Sequence, residues 1–284
     1  MLDTAKKIVP RKIRKQPNVQ AIYRYTKRSY NRMKAIKKSP YDNIYHCCTQ
    51  KTGSQWFRNV FEDEIFFKYT GLEAIAYFKL GLRYANLSNR FPKHTFLVHL
   101  YIDYPTFDAI LKPENYKAFF ILRDPRDAVV SWYYSAKFSH ILIDPIPQMR
   151  HDLLQLGFKD GMKYVIDRLE EFGSFGTQRS WVQAKKHQNI AIFRYEDFAD
   201  DNKKFLERLI QFLDIEIPEA ECDILYKKYA FKNMANGRKH GEEDKFSHYR
   251  KGVAGDWQNY FDKEIMAHFR SVTNDTLEIL GYQE

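Results

Sequence analysis

The segment from Lys117 to Ser139 constrains the fold of this chain most strongly, because it carries the signals of a strand, a tight turn and a helix in direct succession. Lys117 to Leu122 is an apolar run of strand length. A helix start follows at once, with Asp124 as the N-cap, Pro125 at the first helical position and Asp127 in the first turn. The segment therefore predicts a strand-turn-helix unit, the building block of an α/β fold.

Two residues of this segment are candidates for binding an anion. Arg123 stands at the C-terminal end of the predicted strand, where open α/β sheets bind their ligands, and Ser131 lies about two turns into the helix that leaves the same edge. The alternative is that Arg123 pairs with Asp124 or Asp127 and only caps a surface turn. The segment by itself leaves both interpretations open.

Length and composition indicate one globular domain. A chain of 284 residues, 44% of them hydrophobic, can bury one large core, and no break in composition requires a second domain. The 46 basic and 36 acidic residues leave a formal charge of +10, which favours anionic partners such as nucleotides, nucleic acid or acidic lipid headgroups. The charge does not distinguish among these partners.

The cysteines have neither the number nor the spacing of a disulfide framework or a zinc site, since Cys47 and Cys48 are adjacent and Cys222 is distant. A reducing compartment is the simplest inference. No apolar run approaches the roughly 20 residues needed to cross a bilayer, and the N-terminus lacks the apolar core of a signal peptide. We therefore expect a soluble, cytoplasmic protein.

Residues 1–40 interleave Lys and Arg with Ile, Val and Tyr. This pattern predicts a basic helical extension that packs on the domain or is partly disordered, and weak contact with a membrane surface or with nucleic acid is the alternative. Residues 41–284 then form the domain. It contains a long insertion at 136–176, where substrate walls are expected, and a polar loop at 232–249 that we expect to be mobile.

A second strand, turn and helix precede the first. Asn43 to Thr49 predicts a strand, and the turn from Gln50 to Gly53 leads into a helix. The apolar face of that helix carries Trp56, Phe57, Val60 and Phe61. Such a turn can surround a phosphate with backbone N–H groups and one cation, although an ordinary polar loop is the alternative. It is not a Walker A loop, because Lys51 precedes Gly53.

The remaining patterns complete an α/β order. Thr95 to Tyr101 and Asn189 to Phe193 are typical of strands. Helices are predicted at residues 72–90, 158–172, 201–213 and 219–231, through Trp181, and finally through Ile265, Phe269, Val272, Ile279 and Leu280. Loops are predicted around Pro145 and Pro147 and at the GSFG sequence of residues 173–176.

Two further places in the chain carry residues that could bind a ligand or take part in catalysis. Arg250 and Lys251 precede Gly252, so two cations could grip a phosphate while the glycine permits close backbone approach. His99 lies near the end of its predicted strand, and His94, five residues earlier, faces the other side of an extended strand, which argues against a shared metal ion. A lone histidine on a strand is more often a structural residue unless it lies in a cleft.

Three segments, in this order, resemble the sulfotransferase superfamily that uses 3′-phosphoadenosine 5′-phosphosulfate (PAPS). Residues 49–56, TQKTGSQW, are similar to the family's 5′-phosphosulfate loop, PKSGTTW. Residues 123–134, RDPRDAVVSWYY, are similar to its 3′-phosphate segment, RNPKDVAVSYY, and residues 250–259, RKGVAGDWQN, to its closing segment, RKGxxGDWKN. The resemblance implies a mostly parallel sheet flanked by helices in a P-loop-kinase-like mononucleotide fold.

The resemblance also implies a role for each matching residue. Lys51 would contact the 5′-phosphosulfate and stabilise the leaving phosphate, His99 matches the catalytic base, and Ser131 joins them in the catalytic set. Binding of the 5′ end is implied for Thr52, Gly53, Ser54 and Gln55, binding of the 3′-phosphate for Arg123, Ser131, Arg250, Lys251 and Gly252, and contact with the adenine for Trp56, Tyr195 and Phe231.

These residue types suit in-line sulfuryl transfer. Negative charge builds on the bridging oxygen of the leaving phosphate, so the nearby cation of Lys51 would lower the barrier. An alcohol must lose a proton as it attacks, and the neutral imidazole of His99, with a usual pKa near ~6.5, is suited to accept it.

The leading hypothesis is therefore a PAPS-dependent sulfotransferase that modifies a hydroxyl, or an amine, of a small-molecule or lipid acceptor and releases 3′,5′-ADP, without a metal or a nucleic-acid partner. An ATP-dependent phosphotransferase is the second hypothesis, and the order of the Lys51 turn counts against it. A basic nucleic-acid or membrane-surface binding protein that uses residues 1–40 is the third.

Overall fold

The computed structural model describes residues 26, 28–76, 91–184 and 186–283. At its centre is a five-stranded sheet in the order β2-β3-β1-β4-β5, in which every pairing is parallel. The strands are β1 (Asn43–Cys48), β2 (Glu73–Ala76), β3 (Thr95–Tyr101), β4 (Tyr116–Leu122) and β5 (Ile190–Arg194). The predicted α/β fold is confirmed.

Helices cover both faces of this sheet, as parallel strands with apolar side chains on both faces require. They are α1 (Ser54–Phe61), α2 (Glu64–Thr70), α3 (Tyr104–Ala109), α4 (Pro125–Tyr134), α5 (Ile146–Gln155), α6 (Phe158–Glu171), α7 (Ser174–Gln183), α8 (Tyr195–Asp200), α9 (Asn202–Phe212), α10 (Glu219–Lys228), α11 (Phe231–Met234), α12 (Lys263–Thr273) and α13 (Thr276–Leu280). A π-helical turn (Ser135–Ser139) extends α4, and a 3₁₀ turn (Asp256–Asn259) precedes α12.

The strand order places two turns side by side. From β1 the chain runs outward to β2 and returns through β3, and it then continues through β4 and β5 on the other side of β1. Cys48 at the end of β1 pairs with Ile121 near the end of β4, so the turns that follow these two strands leave the sheet together. Parallel sheets bind ligands in the crevice at such a reversal of strand order.

The predicted helix at residues 72–90 is wrong at its start. Glu73–Ala76 is instead the edge strand β2, which pairs with β3 from Thr95 to Val98. Four residues are too few for periodicity to separate a strand from a helix, and pairing with β3 decides the conformation. Residues 77–90 lie outside the described residues.

The sequence prediction also placed the starts of two helices wrongly, one at a proline and one at a glycine. The predicted loop is confirmed at Pro145 but wrong at Pro147, because α5 begins at Ile146 and Pro147 occupies its first turn, where a missing N–H costs no helical hydrogen bond. The predicted GSFG loop is wrong as well. Gly173 alone makes the turn, with φ 68°, and α7 begins at the next residue, Ser174.

The last predicted helix is two helices. Asn274 has a positive φ of 50°, outside the helical region, and separates α12 from α13. The helix predicted at 219–231 ends at Lys228, and Phe231 begins the short helix α11. Asparagine is among the residues that tolerate a positive φ. Because the amphipathic pattern continues on both sides of Asn274, the sequence does not show where one helix ends and the next begins.

Most of the predicted N-terminal extension lies outside the described residues, and of its remainder residues 28–33 are helical. The extension and the mobility of residues 232–249 stay predictions. In the described part of the chain, no helix combines the length and apolar character needed to span a membrane. Within the same residues, no three His, Cys, Asp or Glu side chains are grouped to hold a metal ion.

Candidate active site

The turn after β1 carries Lys51 at the carboxyl edge of the sheet. Lys51 has a left-handed backbone, with φ 68°, and so has Gly53, with φ 79°, immediately before α1. Thr52 is buried between them, and its hydroxyl donates a hydrogen bond to the carbonyl oxygen of Thr49 at 2.8 Å. This compact turn presents the N-terminus of α1 at the ligand-binding edge, an arrangement that favours an anion.

Arg123 follows β4 directly and lies beside this turn, because β1 and β4 are neighbours in the sheet. Its guanidinium group donates a hydrogen bond to the carbonyl oxygen of Lys51 and lies 4.1 Å from the centroid of the Tyr195 ring. Its backbone N–H donates to Oε1 of Gln178 at 3.1 Å. The buried Nε has no hydrogen-bond partner among the described residues, which leaves a charged donor for a ligand.

The alternative that Arg123 pairs with a neighbouring aspartate is wrong. Asp124 is instead paired with Arg126, whose Nη2 lies 2.8 Å from Oδ2, and it also caps α4 by accepting from the Arg126 N–H at 2.9 Å. Asp127 is engaged elsewhere. Within the part of the chain that the structure describes, Arg123 makes no ion pair, although Asp127 and Glu196 lie within electrostatic range of it.

Asp127 joins α4 to the closing segment. Its carboxylate accepts hydrogen bonds from the N–H groups of Gly255, at 2.7 Å, and Trp257, at 2.8 Å. The side chain is buried, and burial raises its pKa above the ordinary value of an aspartate. Because Asp127 is four residues from Arg123, these two bonds hold the closing segment against the arginine site.

The two cations of the closing segment are held side by side by one carboxylate. Asp256 accepts from Nη2 of Arg250 and from Nζ of Lys251, each at 2.5 Å. Burial acts to raise the pKa of Asp256, but the hydrogen bonds from Lys251 and Arg250 lower it below its ordinary value. Glu243 binds the other terminal nitrogen of Arg250 at 2.5 Å.

Gly252 allows the closing segment to lie against Phe231. Its backbone is left-handed, with φ 80°, and a Cβ atom at this position would lie 2.6 Å from two carbon atoms of the Phe231 ring. The carbonyl oxygen of Gly252 accepts from Nε2 of His240 at 2.8 Å. Since any other residue would displace the ring, the glycine is required by both conformation and space.

A β-bulge sets the position of His99. The β1–β3 register passes from the pair Tyr45–Leu97 to the pair Cys47–Leu100, so two residues of β3 lie opposite one residue of β1. His99 has φ 44°, and its N–H donates to Nδ1 of His46 at 3.3 Å. The alternation from which the sequence prediction opposed His94 to His99 is therefore interrupted, and such bulges re-aim side chains beside functional sites.

These segments surround one cavity of about 880 Å³. Every predicted site residue except Thr52 lines it, namely Lys51, Gly53, Ser54, Gln55, Trp56, His99, Arg123, Ser131, Tyr195, Phe231, Arg250, Lys251 and Gly252. Thr52 lies beneath the turn, where it holds the backbone that carries Lys51. The three basic turns, separated in sequence, therefore converge on a single cavity.

The cavity concentrates positive charge. Burial, followed by the positive charges of Arg123 and Arg250, lowers the pKa of Lys51 to about 7. Lys51 therefore lies within electrostatic range of both guanidinium groups. A site that brings three basic side chains together favours an anionic ligand, which would relieve their repulsion.

A protein-family model described as "Sulfotransferase domain" matches residues 19–281, nearly the whole chain. The chain belongs to the sulfotransferase family. The resemblance carried by the three sequence segments is thereby confirmed. The parallel sheet is thus that of a sulfotransferase.

Two relatives of this sulfotransferase show how far the similarity extends. It is 23% identical to an amine sulfotransferase of Oryctolagus cuniculus over 261 residues, which cover 84% of this chain and 81% of that protein. It is 27% identical to a 3-beta-hydroxysteroid sulfotransferase of Cavia porcellus over 175 residues, 58% of this chain and 57% of that protein.

Among solved structures, the sulfotransferase resembles mouse sulfotransferase SULT7A1 complexed with PAP. The TM-score is 0.59 at 21% sequence identity, with 85% of this chain and 86% of that chain covered. At this identity the comparison supports the fold.

The sulfotransferase cavity also contains residues that sequence reasoning did not identify. Most of them belong to the segment after α4 and to the loop before the closing segment; they include Tyr101, Trp132, His140, Ile141, Ile143, Asp144, Met234, His248 and Tyr249. The insertion at 136–176 was expected to supply substrate walls, which is the only signal the sequence carried. Which of its side chains face inward depends on packing that no local pattern reveals.

Proposed function

We propose that this sulfotransferase binds PAPS in the cavity and transfers its sulfuryl group to a hydroxyl, or an amine, of a small-molecule or lipid acceptor, releasing 3′,5′-ADP. The observation that carries the proposal is the convergence of Lys51, Arg123 and Arg250 on one cavity. A nucleotide with phosphate groups at both ends of its ribose needs cations at separated points of one site. The amine and steroid relatives are named for small-molecule acceptors.

The residues present fit such a nucleotide. The buried Nε of Arg123 has no partner among the described residues, and a phosphate oxygen would satisfy it. The Arg123 guanidinium also lies against the Tyr195 ring, so aromatic surface for a base and charge for a phosphate are adjacent. The mouse sulfotransferase of similar fold was solved with PAP.

Each end of the nucleotide has its own set of residues in this proposal. The 5′-phosphosulfate is held by the turn between β1 and α1, and the 3′-phosphate by the turn after β4 together with the closing segment. The first set is Lys51, Gly53, Ser54 and Gln55, with Thr52 beneath them as the support of the turn, the second is Arg123, Ser131, Arg250, Lys251 and Gly252, and the adenine is bordered by Trp56, Tyr195 and Phe231.

Lys51 and His99 have separate chemical tasks. PAPS, when bound, supplies the activated sulfuryl group. The ammonium group of Lys51 offsets the negative charge that develops on the leaving phosphate, and it acts strongly because the cavity shields it from bulk water. His99 accepts the proton that the acceptor hydroxyl loses, provided that its imidazole is neutral before the transfer.

The thiols support a proposal for the cellular setting. Cys47, Cys48 and Cys222 are all free and buried. Free thiols are typical of a reducing compartment, so we assign the reaction to the cytoplasm.

Titration calorimetry with 3′,5′-ADP and with ATP tests the nucleotide. We expect 3′,5′-ADP to bind more tightly, because only it carries a 3′-phosphate for Arg123 and Arg250. Tighter binding of ATP would favour the phosphotransferase instead. Transfer of radiolabel from PAPS to an acceptor library then identifies the acceptor, and no transfer to any hydroxyl or amine would overturn the proposal.

The binding-protein alternative has its own test. If residues 1–40 mediate contact with nucleic acid or an anionic membrane, their deletion abolishes that salt-sensitive binding and leaves nucleotide binding intact. Partner binding that survives the deletion would exclude this role for residues 1–40.

A further inference from the structure

The segment that follows α4 is held in an unusual conformation at the cavity wall. It forms a π-helical turn, Ser135–Ser139, closed by a hydrogen bond from the His140 N–H to the carbonyl oxygen of Ser135 at 2.7 Å. Arg150 of α5 fixes this turn, because its guanidinium donates to the carbonyl oxygens of Ala136, at 2.9 Å, and His140, at 2.7 Å. Single π-helical turns inside helices occur frequently at functional sites.

The same contacts orient the imidazole of His140. The ring stacks on Trp132, with centroids 5.6 Å apart and planes inclined by 13°, and both residues line the cavity. Nδ1 lies 3.0 Å from the carbonyl oxygen of Ile141. A carbonyl oxygen only accepts, so Nδ1 carries the proton and Nε2 of the neutral ring is a hydrogen-bond acceptor.

The charges around His140 favour this neutral form. Burial is the largest cause that lowers its pKa, the bond to Ile141 acts in the opposite direction, and the positive charges of Lys51 and Arg150 lower the pKa again. His248 also lies within electrostatic range of His140 and of Lys51. His140 therefore lines the same cavity as Lys51 and lies within electrostatic range of its ammonium group, beside which the sulfuryl group is transferred if Lys51 stabilises the leaving phosphate.

We propose that Nε2 of His140 accepts a hydrogen bond from the hydroxyl or amine of the acceptor molecule as it binds, and that the same group then turns its proton to His99 for the transfer. This inference rests on the function proposed above and names a residue of the acceptor site outside the three nucleotide segments. His99 removes a proton during transfer, whereas His140 binds and orients the donor group before it. The site consequently selects acceptors that present an O–H or N–H group to the wall formed by the π-helical turn.

Two substitutions by amide side chains separate the proposed binding of the acceptor by Nε2 from the structural bond made by Nδ1. In His140→Gln the amide can place its oxygen near the position of Nε2, and in His140→Asn it can preserve the bond to the Ile141 carbonyl. With 2-naphthol as the hydroxyl acceptor, we expect His140→Asn and His140→Ala to raise the acceptor KM about 10-fold, the upper end of the effect of one lost neutral hydrogen bond. His140→Gln should stay within about threefold of the wild type.

The readouts distinguish the inference from its alternatives. The Kd of 3′,5′-ADP should be the same in all three variants, and His268→Gln, outside the cavity, should leave KM unchanged. Recovery by Asn rather than Gln, or an unchanged KM in His140→Ala, would overturn the acceptor role of His140. If wild-type protein neither binds 3′,5′-ADP nor transfers sulfuryl, it is the proposed function that fails.

Discussion

Arg123 donates a hydrogen bond from its guanidinium group to the carbonyl oxygen of Lys51, a residue 72 positions earlier in the chain. The bond connects the turn after β4 to the turn after β1, and it holds the left-handed backbone of Lys51 in place. One side chain thus has two tasks: it fixes the turn that carries the ammonium group, and it presents a buried donor to the ligand.

Replacing Arg123 tests both tasks. We expect Arg123→Met to weaken binding of 3′,5′-ADP about 10- to 100-fold, because a charge-assisted hydrogen bond and the support of the Lys51 turn are lost together. Calorimetry measures the change. Arg208→Met is the matched control, since Arg208 is an exposed partner of Asp197 at 3.0 Å outside the cavity. Equal losses in both variants would contradict a local role.

Lys51 should take up a proton when nucleotide binds. Its pKa of about 7 leaves it largely neutral at pH 8, and an anionic ligand raises that pKa. The complex then binds up to about one proton more than the free protein, so the Kd of 3′,5′-ADP rises with pH above 7, by at most about tenfold per pH unit. Binding heats in HEPES and Tris, two buffers that do not compete for a phosphate site and differ in ionisation enthalpy, report the uptake at pH 8. Persistence of the uptake in Lys51→Met would assign it to another group.

The catalytic role of Lys51 predicts an unequal effect on turnover and binding. If the ammonium group offsets charge mainly in the transition state, Lys51→Ala lowers kcat about 10²- to 10³-fold while the Kd of 3′,5′-ADP changes less than about tenfold. Steady-state kinetics and calorimetry give the two values. Parallel losses would make Lys51 a binding residue only.

His99 is expected to affect transfer alone. His99→Ala removes the proton acceptor and should lower kcat for a hydroxyl acceptor by about 10²- to 10⁴-fold, without a change in nucleotide affinity. Radiolabel transfer from PAPS to 2-naphthol measures the rate, and binding of 3′,5′-ADP shows that the variant is folded. Near-normal turnover would mean that another group accepts the proton.

Gly252 offers a test with a matched glycine. Gly252→Ala places a Cβ atom 2.6 Å from the Phe231 ring, so we expect the ring to move and nucleotide affinity to fall. Gly237 has a similar backbone, with φ 90°, but nothing within 4 Å of the added atom. Gly237→Ala therefore costs only the left-handed strain, about 1 kcal/mol of folding free energy. If Gly237→Ala also weakened nucleotide binding, the effect of Gly252→Ala would be due to backbone strain and not to contact with Phe231.

Much of the fold could be predicted from local sequence signals. The strand-turn-helix at residues 117–139 identified β4 and α4, because an apolar run followed by an N-cap and a proline restricts the chain before any tertiary contact forms. Motif order further indicated the sulfotransferase family. Local reasoning failed at Pro147 and at Glu73–Ala76, because a proline suits either a loop or a first helical turn and a four-residue segment is too short to show a distinct period.

The sequence by itself determined which residue types stand at which turns, and hence that Lys51, Arg123 and Arg250 were candidates for anion binding. Only the tertiary structure decided that Asp124 pairs with Arg126 and not with Arg123, that a β-bulge carries His99, and that His140, after a π-helical turn, lines the cavity. The physical reason is that charge pairing and side-chain direction depend on neighbours distant in sequence. Propensity and periodicity act over a few residues and do not specify them.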